Sequence, residues 1–485
     1  MKLAVVVQRY GPSINGGAEL HARYIAERLA RHAEVEVLTT CATDYVTWRN
    51  TLEPGVESVN GVTVRRFRVE HERNPEVFSR CSDQVFRQNH SIADELAWLD
   101  AEGPTSRGLT RYLAHQSREY DYCLLFSYRY YHAYHGARAV SQKAVLVPTA
   151  ERDATIGLSI FAPIFRGVRA IMFNSPEERA MIQAVSGIGD DLPSVVVGVG
   201  SEVPAMTEPD RFRRKFNLHE PFAVYVGRVD TNKGCAELFD FFSTYLREDA
   251  GGLTLVLIGQ SVLDIPAHSR IRHLGFLDDR DKFDAIAAAE LLIMPSYYES
   301  LSMVALEAWA LGRPVLANGK CDVLKGQCIR SSAGLYYDGR LEFIETLRTL
   351  ERNRWLAATL GRNGRQFFRE HYGWPVIERK YLEMFDRLSR TPAARDMERM
   401  AGWLDRRRPT CPPASEVTAR LPVGPSITAP SLSPDSRSIE TPARAGPEAP
   451  DARFGSRSAG APSRFRRGHH RRTRGGGSSA GTRTR

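Results

Sequence analysis

Short apolar, β-branched runs recur along most of this chain, and most are followed by a Gly-containing or polar loop and then a helical stretch. Runs of this kind cover residues 2–7, 144–147, 194–197, 222–226, 253–258, 271–274, 291–294 and 314–316. They are too short and too uniformly apolar to alternate in and out, so they read as strands buried on both faces. Strands that alternate with helices have to be parallel, with helices covering both sides of the sheet. A chain of 485 residues exceeds one hydrophobic core, and 42% hydrophobic residues suffice for two. The expectation is α/β, with two doubly wound Rossmann-like domains and a cleft between them.

The loops after three of these strands carry the chemistry. In open α/β sheets, ligands bind at the carboxyl ends of strands. After strand 222–226 comes Gly227-Arg228-Val-Asp-Thr-Asn-Lys233-Gly234, and then a helix with Cys235, Leu238, Phe239, Phe242 and Leu246 on one stripe. Arg228 offers a planar fork of donors and Lys233 a point charge, a pair that suits a pyrophosphate. After strand 291–294 comes Tyr298-Glu299-Ser-Leu-Ser-Met-Val-Ala-Leu-Glu307, with a helix over 303–311 stopped at Gly312. Ser300 and Ser302 are good N-cap types, and the free N–H groups of the helix start form an anion site between Glu299 and Glu307. After strand 2–7, a loop ending in Gly16-Gly17-Ala18-Glu19 opens a helix to about residue 31, and two glycines let backbone approach a phosphate closely. Each loop taken singly also reads as solvated surface or as an ordinary turn.

Together these motifs resemble the retaining glycosyltransferases of the family 4 (group 1) type, which have the GT-B fold, over roughly residues 1–390. The resemblance implies that Arg228 and Lys233 bind a donor diphosphate and stabilise it as leaving group. It implies that Glu299 contacts donor sugar hydroxyls and that backbone N–H groups of Leu301, Ser302, Met303 and Val304 touch sugar and phosphate. Glu307 would hold the ribose, and Gly16 and Gly17 would close over the donor from the other domain. Gly275 and Phe276, after strand 271–274, would supply contacts to the base, without distinguishing a UDP-sugar from a GDP-sugar. The sequence departs from the family pattern at Pro148-Thr-Ala-Glu151-Arg152-Asp153, where Glu151 stands in place of the usual His. A carboxylate there can accept a sugar hydroxyl proton but cannot act as a cation.

The reaction implied is hexosyl transfer, with retention, from a nucleoside diphosphate sugar to a glycan or lipid-linked acceptor in bacterial surface polysaccharide synthesis. No cofactor or metal is expected, because two fixed cations can do the charge neutralisation of a divalent ion. The acceptor is expected at the first domain, around Tyr128 to His135 and the cluster Arg65-Arg66-Phe67-Arg68. A related epimerase or an inactive nucleotide-sugar binder remains the alternative within the fold.

The expected divisions are a first domain over 1–200, a second over 201–372, a helix over 373–390 crossing back, and a tail over 391–485. The tail holds 18 Arg, no Lys and 8 acidic residues, a net of +10 against +9 for the whole chain, which leaves −1 for the preceding 390 residues. Twelve of the 27 prolines also fall there, so disorder is expected. Its basic end, residues 464–477, would attract nucleic acid or anionic lipid headgroups, yet no aromatic-rich or folded reader accompanies it. Nucleic acid is therefore not expected as a partner, and binding it through this segment is the alternative of another class. Seven scattered cysteines without a CxxC indicate a reducing, cytoplasmic compartment and no metal cluster. No run reaches the ~18 apolar residues of a spanning helix, so contact with the inner membrane is expected to be peripheral.

Overall fold

A computed structural model describes residues 1–248, 252–393 and 397. It contains two sheets. The first has eight strands in the order β3-β4-β2-β1-β5-β6-β7-β8. These are β1 (Lys2–Val6), β2 (Glu34–Thr40), β3 (Gly55–Val59), β4 (Val62–Phe67), β5 (Tyr122–Phe126), β6 (Ala144–Val147), β7 (Ala170–Phe173) and β8 (Ser194–Val196). The second has six, in the order β11-β10-β9-β12-β13-β14. These are β9 (Phe222–Val226), β10 (Thr254–Ile258), β11 (Ile271–His273), β12 (Leu291–Met294), β13 (Val315–Asn318) and β14 (Gly334–Tyr337). Every pairing is parallel except the β3–β4 hairpin. With helices on both faces of each sheet, this is the GT-B architecture expected from the sequence.

Burial explains the uniform strands. Leu3, Val5, Leu124 and Phe126 point into one core, while Ala4, Val6, Cys123 and Leu125 on the same strands point into another. The first of these cores continues under the second sheet through Val224, Leu292, Val315 and Trp309. The opposite face of the second sheet packs a third core around Tyr225, Leu257, Ile293 and Tyr337. The helix Trp374–Arg390 closes the continuous core: Tyr381, Phe385 and Leu388 are buried in it, and Phe385 stacks on Tyr122 beside β1 at 5.3 Å.

Strand order reverses between β1 and β5 in the first sheet and between β9 and β12 in the second. At such a switch point the adjacent loops diverge to opposite faces and leave a crevice. The loops after β1, β5 and β6, and those after β9 and β12, are the ones that carry Gln8, Tyr128, Glu151, Lys233 and Glu299.

Residues just past the expected boundary at 391 are held against the first sheet's side: the buried Arg169 guanidinium donates to the carbonyls of Leu388, Thr391 and Pro392, and Met397 packs against Gly167. The rest of the expected tail lies outside the described residues. Each arginine of the Arg65 to Arg68 cluster faces a carboxylate. Arg65 pairs with Glu36 at 2.8 Å, Arg66 is buried against Glu57 and the Tyr10 carbonyl, and Arg68 reaches Glu53 at 3.3 Å. No helix among the described residues is long and apolar enough to cross a membrane.

Candidate functional site

The loop after β9 is folded by its own polar groups. Asp230 accepts from the Lys233 backbone N–H at 2.8 Å and binds the Arg228 guanidinium, while Tyr225 donates its hydroxyl to the Arg228 carbonyl at 2.7 Å. Gly234 ends the loop at φ +71°, where a Cβ would fall 2.0 Å from the Pro295 carbonyl oxygen. Only glycine allows the loops after β9 and β12 to come that close. That contact brings the Lys233 ammonium to the Glu299 carboxylate at 2.8 Å.

Glu151 approaches the same pair from the first sheet. Its loop leaves β6 through Thr149, a non-glycine residue held at φ +49°. The loop is pinned by Glu178, fully buried, whose two oxygens accept from the N–H groups of Ala150 and Asn174 at 2.5 Å each. Burial pushes the Glu151 carboxyl up to about 7; the Lys233 charge opposes that rise and the Glu299 charge adds to it. Burial alone would lower Lys233, but the carboxylates of Glu299 and Glu151 outweigh it and hold the ammonium above the usual lysine range. Three ionisable groups from loops of two sheets thus act on one another. The buried Glu178 carboxyl is itself raised to about 8 by desolvation.

The helix Met303–Ala310 starts beside this cluster. The Ser302 hydroxyl accepts from the Ala305 N–H at 3.3 Å, which leaves the first-turn N–H groups of Met303 and Val304 to be met from outside the helix. Leu301 is buried beneath them, and the Ser300 hydroxyl accepts from Asn174 of the first sheet at 3.3 Å. Glu307, only 2% exposed, uses one oxygen for the Ser201 hydroxyl at 2.9 Å and the Lys282 ammonium at 3.2 Å. Its other oxygen is buried without a partner. An unpaired buried carboxylate oxygen calls for a donor, and a ribose hydroxyl is a suitable one.

Gly275 and Phe276 lie at the edge of the second sheet. The Gly275 carbonyl accepts from Gly259 N–H at 2.8 Å, and Gly259 in turn presses against the Gly227 carbonyl, so three backbone turns form a shelf running from β11 to β9. Phe276 projects from that shelf, 59% exposed. Gly16 caps the helix Gly17–Leu29, next to Glu19, which is bound by Arg9 at 2.8 Å; Gly17 faces open space.

Several groups at the site escape sequence reading. Tyr45, on a loop after β2, bridges Arg228 and Arg9: its hydroxyl bonds Arg228, and both guanidinium carbons lie 5.5 Å from its ring centre. Ser201, Lys282, Asn174 and Glu178 are likewise brought in only by the fold. The Tyr128–His135 segment divides: Tyr131, His132 and Tyr134 are buried in the core, while Tyr128, Arg129 and Tyr130 line a cavity of about 170 Å³ that reaches Glu151. Among the described residues, no group of three or more His, Cys, Asp or Glu side chains is arranged to hold a metal ion.

Two sheets facing across a cleft, with a basic loop and a helix start at one switch point, define a GT-B glycosyltransferase scaffold. Residues 220–347 match the family model described as glycosyl transferases group 1, and this segment is a domain of that family. The chain is 24% identical over 216 residues to mannosylfructose-phosphate synthase of Agrobacterium fabrum, covering 40% of this chain and 46% of that protein. It is 30% identical over 181 residues to D-inositol 3-phosphate glycosyltransferase of Corynebacterium efficiens, covering 32% and 42%. The matches thus span less than half the length of these curated relatives. Among solved structures, it is similar to sucrose-phosphate synthase from Thermosynechococcus elongatus (18% identity, TM-score 0.56, 80% of this chain and 99% of that one). It is also similar to HepE of Anabaena in complex with UDP-glucose (16% identity, TM-score 0.58, 80% and 100%).

Proposed function

We propose that this protein is a retaining glycosyltransferase that moves a hexosyl group from a UDP- or GDP-sugar to a glycan or lipid-linked acceptor in surface polysaccharide synthesis. The observation that carries the reading is the meeting of Lys233, Glu299 and Glu151 across the cleft, with Arg228 on the same loop as Lys233. Two fixed cations at the end of β9 suit a diphosphate whose negative charge grows as the glycosidic bond breaks. The electron pair of that bond leaves with the phosphate oxygen. The acceptor hydroxyl attacks the same face through an oxocarbenium-like transition state, and its proton passes to the departing phosphate. Glu299 orients donor hydroxyls, the N–H groups of residues 301 to 304 receive sugar and phosphate oxygens, and the unpaired oxygen of Glu307 accepts from the ribose. The group 1 domain and the UDP-glucose-bound neighbour support a nucleotide-sugar donor. A lipid-linked acceptor would bring the protein to the cytoplasmic face of the membrane as a peripheral visitor.

One observation favours a second reading. Glu151, a carboxyl raised to about 7 where the family has a His, fits an epimerase or a binder that no longer transfers. A screen of nucleoside diphosphate sugars separates the two. Thermal stabilisation together with release of nucleoside diphosphate supports transfer. Stabilisation without release, or recovery of an epimerised sugar nucleotide, would sink it.

A further inference from the structure

The cavity at the first sheet's switch point is more specific than its location requires. Its floor is Gln8, at the end of β1, and Tyr128, after β5; these residues are 1% and 2% exposed. The Gln8 side-chain oxygen and the Tyr128 hydroxyl are both buried without a hydrogen-bond partner. Such atoms are costly to leave unmet, and a ligand that supplies donors and acceptors would meet them. Two wall residues, Ser127 and Thr149, are non-glycines held in the left-handed region at φ +65° and +49°, the kind of strain that persists at binding sites.

The charges that face this space are Glu19, Glu151, Asp153 and Arg129. The one cation is already engaged: Arg129 pairs with Asp153 at 3.0 Å and with Glu102 at 3.2 Å. Glu19 is held by Arg9 at 2.8 Å, and across the cleft the Lys233 ammonium is held by Glu299. A phosphate brought here meets the carboxylates of Glu19 and Asp153, the Glu151 carboxyl, and a guanidinium already paired with Asp153 and Glu102. Hydroxyl groups meet what they need: a carbonyl-type acceptor at Gln8, a donor and acceptor at Tyr128, and carboxyl oxygens on the walls. A cavity of about 170 Å³ has room for several waters, the scale of one sugar ring with its hydroxyls.

We propose that this cavity is an acceptor subsite for a single uncharged, hydroxyl-rich sugar unit and that it discriminates against phosphorylated sugars. Its assignment as acceptor subsite rests on the transferase reading; its ligand class rests on the lining alone. The test uses the full chain and a panel of methyl hexosides and myo-inositol, each paired with its monophosphate. Binding is measured by saturation-transfer NMR and titration, on the wild type and on Gln8→Leu, Tyr128→Phe and Asp153→Asn, each variant first shown by melting curve to be folded. At least one uncharged probe is expected to bind and to weaken about five- to tenfold in Gln8→Leu and in Tyr128→Phe, the loss of one hydrogen bond. Its monophosphate is expected at least tenfold weaker, and Asp153→Asn, by releasing Arg129, should narrow that gap. The proposal is overturned if a monophosphate binds as tightly as its uncharged partner with the same dependence on Gln8 and Tyr128. It is equally overturned if no uncharged probe responds to either variant. Sugar-nucleotide binding at Lys233 is read separately: its absence beside intact sugar binding here would remove the transferase reading and leave the ligand class standing.

Discussion

Lys233 and Glu307 differ in when they would act. The Lys233 charge is most valuable in the transition state, as charge builds on the departing diphosphate, so Lys233→Ala should lower turnover roughly a hundredfold or more while weakening donor binding less. Glu307 would hold a ribose whose contact is the same before and during reaction, so Glu307→Ala should raise KM and leave kcat nearly alone. Steady-state kinetics on one accepted sugar nucleotide check both, and near-normal turnover by Lys233→Ala would remove the leaving-group role. Glu151 makes a prediction about stability. Its folded pKa of about 7 lies above the ordinary 4.5, so the fold favours the neutral acid. The cost of ionising it is absent below about pH 4.5, appears as pH rises toward 7 and is complete above about 8. Glu151→Gln should therefore match the wild type at pH 4.5 and exceed it at pH 8.5 by on the order of 2 kcal/mol. Urea denaturation at the two pH values checks this, and parallel curves would contradict the burial of Glu151.

Among the elements, the loop after β9 and the helix Met303–Ala310 set the donor side, and each depends on one small residue. Gly234→Ala puts a Cβ against the Pro295 carbonyl at a positive φ, so the two loops would have to separate. The expected cost is about 2 kcal/mol or more, with loss of the Lys233–Glu299 contact and of thermal stabilisation by a sugar nucleotide. Ser302→Ala removes the N-cap at a cost of about 1 kcal/mol, whereas Ser302→Gly should cost only a few tenths. Equal losses for the two in chemical denaturation would show that the hydroxyl is not acting as a cap.

At the scale of the whole molecule, the residues that follow the helix Trp374–Arg390 are fastened through their backbone carbonyls. Arg169 is 4% exposed and depends on the carbonyls of Thr391 and Pro392 as well as Leu388. A chain ending at residue 397 should melt like the full-length protein. One ending at residue 390 should lose about 1–3 kcal/mol, the cost of stripping partners from a buried charged donor. Melting curves of the two shortened chains decide this, and equal melting temperatures would mean that the Arg169 contacts contribute nothing.

The α/β alternation, most strand positions and the residue types at the ends of β9, β12 and β6 were legible in the sequence, because buried parallel strands are uniformly apolar and loops that meet anions show their Arg, Lys, Ser and Gly. The hairpin β3–β4 was not: its exposed strand Gly55–Val59 carries no buried run. Nor were β2, β7 and β14, nor β5, whose apolar residues merge into the Tyr- and His-rich segment that follows. The partners of Arg65, Arg66 and Arg68 were not legible either, since charge composition cannot reveal that Glu36, Glu57 and Glu53 stand opposite them. Pairing depends on register, and register is a property of two strands at once. The same reason separates what the sequence determined by itself from what the tertiary structure decided. Local pattern fixed the strand–loop–helix units and placed Arg228, Lys233, Glu299 and Glu307 in their loops and helix. Only tertiary packing brought Glu151 to Lys233, seated Tyr45 on Arg228, set Ser201 and Lys282 on Glu307 and left Gln8 and Tyr128 facing a polar cavity, because contacts between residues far apart in the chain are made by the fold.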